Sequence, residues 1–257
     1  MREVVAIMLA VASGCGFAAP NQAAIGPDAG EPTTDAPSTV ARTCIPGDAT
    51  LRLCVDFEDA TRLAYDGSSY GHTVTRQDAL SAMARDAEQA VQLTPQSRLV
   101  IAESPQLDIP QHLTTMLWFE PQGVTGDRWL LDNNEQYFIA HEAGFVRCGI
   151  GDRSVAALAP VTEDWHHVAC GFDGEVLKVY IDGSVARCEP LARQVPTSGT
   201  VGLAIGSNVG RSGTGLAFDD VFSGGIDNVQ VFARTLTDAE VCGAAGRVSC
   251  TTACPTR

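Results

Sequence analysis

The chain predicts an all-β fold, an antiparallel β-sandwich with one short C-terminal helix. Three observations carry the prediction. The first is the run Trp165–Gly183, which reads as two apolar strands joined at Asp173-Gly174, with a second Asp-Gly at 182–183. Asp-Gly favours a tight hairpin because the turn needs positive φ at its central residues. A two-residue turn there sets Cys170 opposite Leu177, Val168 opposite Val179 and His166 opposite Ile181. Directly opposed residues share a face, so Val168, Leu177, Val179 and Ile181 form a buried stripe, and Lys178 and Tyr180 fall on the other side. The second observation is the punctuation of short apolar runs by Gly, Pro, Asn and Asp: Leu51–Phe57, Leu113–Phe119, Tyr137–Ala140, Phe145–Ile150 and Val201–Ile205. Many short strands at such spacing build a sandwich. The third is the scarcity of helix signals.

Two segments carry helix signals. Asp78–Glu88 reads as a helical turn. Thr237-Asp-Ala-Glu240 reads as a capping box, in which Thr237 caps the backbone and Glu240 reaches back. Asp238 in the first turn suits the helix dipole, and the helix should run about two turns, to near Ala245.

The Trp-His-His-Val-Ala, Asp-Gly, Leu-x-Val-Tyr-x-Asp-Gly run resembles the laminin-G-like or concanavalin A-like jelly-roll family. Further matches follow in order. Asp56-Phe57-Glu58 looks like the opening strand and Asp66-Gly67-Ser68-Ser69 like the loop after it. Leu99–Trp118, with Leu107-Asp108-Ile109-Pro110, is similar to the middle strands. Gly202–Gly206 and Phe222–Phe232 look like the closing strands. The resemblance spans roughly residues 50–246 and departs at Arg85-Asp86-Ala87, where the family usually has glycines. It implies a concanavalin-like jelly roll, and it implies calcium as the cofactor to look for, since such relatives often bind it with Asp, Asn and backbone oxygens.

The N-terminus reads as a targeting segment. Arg2 supplies a minimal positive region, and Val4–Ala12 is an apolar run too short to span a bilayer. Ala12-Ser13-Gly14 before Cys15 looks like a bacterial lipobox, which makes residues 1–14 a lipoprotein signal peptide and Cys15 the acylated residue. Ordinary signal cleavage near Ala19 is the alternative. Gly16 differs from the inner-membrane retention signal, so the expected address is the outer membrane or cell surface. Residues 15–43, rich in Ala, Pro and Thr, cannot bury enough apolar surface to order themselves. Such a tether spans roughly 30 Å root-mean-square. The folded domain is expected over 44–246, with a cysteine-containing tail over 247–257.

Nine cysteines less Cys15 leave eight: Cys44, Cys54, Cys148, Cys170, Cys188, Cys242, Cys250 and Cys254. An even set in an exported chain reads as disulfides; zinc is disfavoured because no Cys-x2-Cys pair occurs. Alternation puts Val146, Cys148 and Ile150 on one apolar face and Cys170 beside Val168, so Cys148–Cys170 is the best-supported bridge. Cys44–Cys54 and Cys242–Cys250 are local loops that leave Cys188 for Cys254. Eight cysteines allow 105 pairings, so the full set is one choice among many.

Net charge is −14, which argues against nucleic acid and against a basic membrane-binding face; the membrane contact expected is the lipid anchor. No catalytic residues are assigned. A glucanase strand needs alternating carboxylates for acid and nucleophile, and after Asp56 and Glu58 the next same-face residue is Ala60. His166 and His167 point to opposite faces and cannot chelate one ion. Calcium candidates are Asp132, Asp219, Asp220 and Asp227, in or beside loops and acidic, as calcium prefers. Trp118 and Trp165 fall in motif strands and read as core. Trp129 and Tyr137, beside Asp132, Asn133 and Asn134, are left as ligand-binding candidates, and the loops 132–136 and 207–220 as the binding rim. The function expected is a non-catalytic envelope binding module for a glycan or a surface protein. The alternatives are an assembly protein with no small ligand and a diverged glycoside hydrolase.

Overall fold

A computed structural model describes Cys44 and residues 47–59, 61–123, 127–134, 136–197 and 199–256. The signal segment, Cys15 and all of the tether before Cys44 lie outside the described residues.

In chain order the strands are β1 (Leu51–Val55), β2 (Val74–Asp78), β3 (Ser81–Arg85), β4 (Glu88–Leu93), β5 (Arg98–Ile101) and β6 (Leu113–Pro121). Then come β7 (Asp127–Asp132), β8 (Tyr137–Glu142), β9 (Phe145–Ile150), β10 (Arg153–Ala156), β11 (His166–Phe172) and β12 (Val176–Ile181). The last are β13 (Ser184–Pro190), β14 (Leu203–Ile205), β15 (Asn208–Ser212), β16 (Gly215–Asp219) and β17 (Gly224–Phe232), before helix α1 (Asp238–Ala244). The first sheet runs β13-β12-β11-β6-β17-β4-β3, with β1 also on β17. The second runs β10-β9-β8-β7-β14-β5-β2, and β15–β16 is a separate hairpin. All the strand pairings are antiparallel.

The inner faces meet in one core. Leu117, Phe119, Val168, Phe172 and Ile226 come from the first sheet, and Leu99, Leu131, Ile139, Val146 and Leu203 from the second. Each such side chain contributes about 1.5–3 kcal/mol by leaving water. Cys148 of β9 and Cys170 of β11 bridge the sheets through this core, with Cα atoms 5.7 Å apart. The other bridges are Cys44–Cys54, Cys188–Cys254 and Cys242–Cys250, so the four disulfides pair as the sequence suggested. They are the chemistry of an oxidising compartment. No described helix is long and apolar enough to cross a membrane.

Outside the first sheet lies a second apolar cluster, in which Met116, Ala169, Tyr180 and Val185 pack with Val241 of α1. The Tyr180 hydroxyl donates to Asp238 Oδ1 at 2.7 Å and Lys178 Nζ to the same atom at 2.9 Å, so the far face of the hairpin is covered. The capping box forms as read: Glu240 N–H donates to Thr237 Oγ1 at 3.2 Å and Thr237 N–H to Glu240 Oε2 at 2.8 Å.

Four expectations are corrected. The β11–β12 register pairs Val168 with Ile181, Cys170 with Val179 and Phe172 with Leu177. Asp173 Oδ1 accepts the N–H groups of Glu175 and Val176, which holds a longer loop than the two-residue turn expected. The shift is two residues, so the face of every side chain is preserved. Asp78–Glu88 is not helical: it supplies the end of β2, all of β3 and the start of β4, turning at Ala79 and Asp86, both with φ 52°. The opening strand ends at Val55, and Phe57 at φ 56° breaks the alternation of Asp56 with Glu58. Trp118 and Trp165 are half-buried on the outer face of the first sheet, where the Arg85 guanidinium lies 4.6 and 5.8 Å from their ring centroids.

Candidate functional site

The acidic candidates do not converge. Asp132, at the end of β7, is fully buried, and its Oδ2 accepts the Val209 N–H at 3.0 Å, which ties down the root of the β15–β16 hairpin. Asn133 is buried, with its amide donating to Leu107 O at 3.1 Å. Tyr137 is buried among the core side chains and donates to the same carbonyl at 3.0 Å; burial pushes its phenol well above the ordinary value. These three hold the fold. Asp219 is exposed at the end of β16, and Asp220, at φ 46°, accepts the Trp129 N–H on its backbone carbonyl at 3.0 Å.

Asp227 sits on the first sheet, on β17, with Oδ2 2.7 Å from Arg85 Nε. Burial pushes its carboxyl up to about 7, against the pull of Arg85. Arg85 also pairs with Glu88 across the β3–β4 turn, so the arginine that departs from the glycine-rich family pattern is the centre of a buried ion cluster. Among the described residues no group of three or more His, Cys, Asp or Glu side chains could hold a metal. The acidic calcium candidates are thus not gathered into one carboxylate cluster among the described residues.

Trp129 and Asn134 do meet, on the outer face of the second sheet. Tyr137 and Ile139 point into the core, so Phe138 between them points out. Its ring lies across Gly149 of β9: a Cβ there would come within 2.0 Å of Phe138 Cε1. Half-buried Trp129 packs on Phe138 with ring centroids 4.3 Å apart. A groove of about 720 Å³ opens over this pair, lined also by Asn134, Gln136, Asp152, Arg193 and Pro196. Arg193 Nη1 lies 2.5 Å from Asp152 Oδ1 and holds that carboxyl below its usual range.

Gln136 is anchored beneath the groove. Its Nε2 donates to Asp108 Oδ1 at 2.6 Å. A carboxylate accepts, so the amide nitrogen faces it and the oxygen is fixed on the other side. That Oε1 is buried and has no hydrogen-bond partner among the described residues. A buried orphan acceptor costs about 1–3 kcal/mol until a donor reaches it. Sequence reading named Trp129 and Asn134 and placed Gln136 in the binding rim, but missed Phe138, Asp152 and Arg193. The alternation of Tyr137-Phe138-Ile139, with Gly149 in the facing strand, is the signal that exposes Phe138.

A family model of the concanavalin A-like lectin/glucanases superfamily matches residues 88–242. The chain belongs to this superfamily. No curated protein matches it by sequence. Among solved structures, the superfamily fold recurs in domain 4 of an extracellular arabinanase from Geobacillus stearothermophilus, solved in complex with arabinotriose. There the TM-score is 0.57 at 19% identity, covering 76% of this chain and 98% of that one. The binding domain of Paraclostridial Mosquitocidal Protein 1 matches with a TM-score of 0.60 at 13% identity, covering 76% of this chain and 52% of that one. The receptor-binding domain of a botulinum neurotoxin C/D mosaic serotype matches with a TM-score of 0.61 at 11% identity, covering 77% and 51%. This superfamily member thus spans about half the length of those toxin domains.

Proposed function

We propose that the domain is a non-catalytic glycan-binding module, displayed at the cell envelope on a lipid anchor at Cys15 through the tether over 15–43. The single observation that carries the reading is an aromatic platform, Trp129 on Phe138, in a groove rimmed by polar side chains. A sugar ring offers an apolar face and a hydroxyl-bearing edge. The first matches the Trp129 ring and the second matches the polar rim. Asn134, Asp152 and Arg193 provide further polar contacts at the rim. The arabinanase domain solved with arabinotriose supports a sugar ligand on this fold. The non-catalytic reading is supported by the broken alternation at Phe57, which leaves no strand-borne carboxylate pair there.

Calorimetric titration with arabino-oligosaccharides, followed by a glycan array run with calcium and with chelator, tests the ligand. Trp129→Ala is expected to weaken the binding of any hit at least tenfold, the scale of one lost stacking contact. Unchanged binding would move the site elsewhere. Detergent partitioning of wild type and Cys15→Ser tests the anchor, and a mature N-terminus downstream of Cys15 would end that part of the reading.

A further inference from the structure

β10 and β13 are the last strands of their sheets on the same side of the sandwich. Between them runs a groove of about 1130 Å³, with Val155, Ala157 and Leu158 on one wall and Leu177, Pro190 and Leu191 on the other. Leu158 is 45% exposed, one of two large apolar side chains so exposed among the described residues.

Arg187 belongs to this groove through a bulge. Val179 pairs with Arg187, whereas Tyr180 pairs with Val185. Residues 185 and 187 of a regular strand share a face. The extra residue, Ala186, turns Val185 outward toward the α1 cluster and leaves Arg187 on the inner side with Val179. Re-aiming a side chain in this way is what a bulge does. Arg187 is 7% exposed; its Nη2 donates to Glu189 Oε2 at 2.9 Å, while its buried Nε has no partner. Arg153 and Arg193 also line the groove; with Arg187 on Glu189 and Arg193 on Asp152, Arg153 leaves it a positive excess, in a chain of net charge −14. That local balance favours a carboxylate, which an arginine fork recognises well.

The backbone of β10 supplies a second, independent observation. Ala157 N–H donates to Val146 O. Antiparallel pairs alternate between bonded and non-bonded, and with Val155 opposite Cys148 and Arg153 opposite Ile150, the odd residues bond to β9. Ser154 and Ala156 therefore turn their N–H and C=O groups away from β9, along the open edge. The β13 edge is covered instead by the C-terminal tail, through Val185 N–H to Thr251 O and Cys188–Cys254.

We propose that this groove binds an extended acidic segment of a partner protein as an added strand on β10, with a carboxylate on Arg187 and aliphatic side chains against Val155 and Leu177. Strand addition takes affinity from main-chain bonds and specificity from pockets for alternate side chains. Among the described residues no aromatic side chain lines the groove, so it offers a sugar no stacking surface, while its aliphatic walls match peptide side chains. Arg193 borders both grooves, but peptide binding here does not require sugar binding at Trp129.

The test is fluorescence anisotropy on the full chain with a labelled, end-blocked octapeptide Val-Ser-Glu-Ser-Val-Ser-Glu-Ser, whose valines and glutamates share one face of a strand, beside its counterpart with lysine for glutamate. Saturable binding of the glutamate peptide alone is expected. Arg187→Gln should weaken it about tenfold or more, the scale of a lost charge-assisted bond. Ser154→Pro should abolish it, because proline removes only the outward N–H and spares the β9 ladder. The same peptide N-methylated at alternate residues should fail to bind wild type, a result that needs no change in the protein. No saturable binding, equal binding of both peptides, or binding that survives both Ser154→Pro and N-methylation overturns the proposal. So does displacement of the peptide by a uronate oligosaccharide, which would give the groove to an acidic glycan.

Discussion

Cys148 and Cys170 face each other across the two sheets with their Cα atoms 5.7 Å apart, inside the main core. The bridge encloses a separation of 22 residues, for which chain-entropy reasoning gives about 3 kcal/mol. A Cys148→Ala, Cys170→Ala double variant also removes two buried sulfurs. Its melting temperature under oxidising conditions is expected to fall by well over 5 °C. A melt that coincides with wild type would show that the bridge adds nothing to stability.

Asp132 illustrates how far sequence reading reached and where it stopped. The pattern Asp132-Asn133-Asn134 reads as an exposed acidic loop, yet Asp132 and Asn133 are buried and engage backbone groups far away in sequence, at Val209 and Leu107. Composition and alternation made the sheets, the buried faces, the capping box and the disulfides legible, because those follow from local chemistry and period. The Phe172–Leu177 register, the β3 strand and the Arg85–Asp227 pair were not, because each depends on partners brought together only by the fold. The glycan groove was half legible: Trp129 stood out as an aromatic without a motif role, whereas Arg193 reaches it from a segment with no strand at all.

Asp132→Ala is accordingly expected to destabilise the domain, by about 1–3 kcal/mol, since it strands the Val209 N–H in the interior. Chemical denaturation measures this directly. Calcium is not expected to restore the loss, because the carboxylate is engaged with backbone. A variant as stable as wild type would return Asp132 to the list of ligand groups.

His167 predicts a specific acid response. It is buried against Trp118, with ring centroids 5.3 Å apart. Burial foremost, and Arg85 in addition, lower its value to about 4, while Asp182 pulls the other way. The unfolded chain takes up the proton near 6.5, so folding holds the ring neutral between the two values. That contribution is complete above about pH 6.5 and is lost as pH falls toward 4, on the order of 3 kcal/mol. Comparison of wild type with His167→Gln isolates the effect, since Asp227 and the other carboxylates are common to both. The stability of wild type relative to the variant should decline through that window; a constant difference from pH 7 to pH 4 rules the assignment out.

Gly149 gives the cleanest test of the platform. A methyl group on it would lie 2.0 Å from Phe138 Cε1 and 2.6 Å from Cδ1, far inside any allowed contact, so Gly149→Ala must push the Phe138 ring off β9. Trp129 rests on that ring, and its face would tilt with it. The change lies on the outer side of the sheet, where Phe138 borders the groove, and the expected stability cost is about 1–3 kcal/mol. Sugar binding, in contrast, should fall at least as far as in Trp129→Ala. Phe138→Leu on the Gly149→Ala background removes the ring edge that clashes and should recover part of the stability without recovering binding. Stability and affinity that fall and recover together would instead assign Phe138 a packing role and leave Trp129 to act alone.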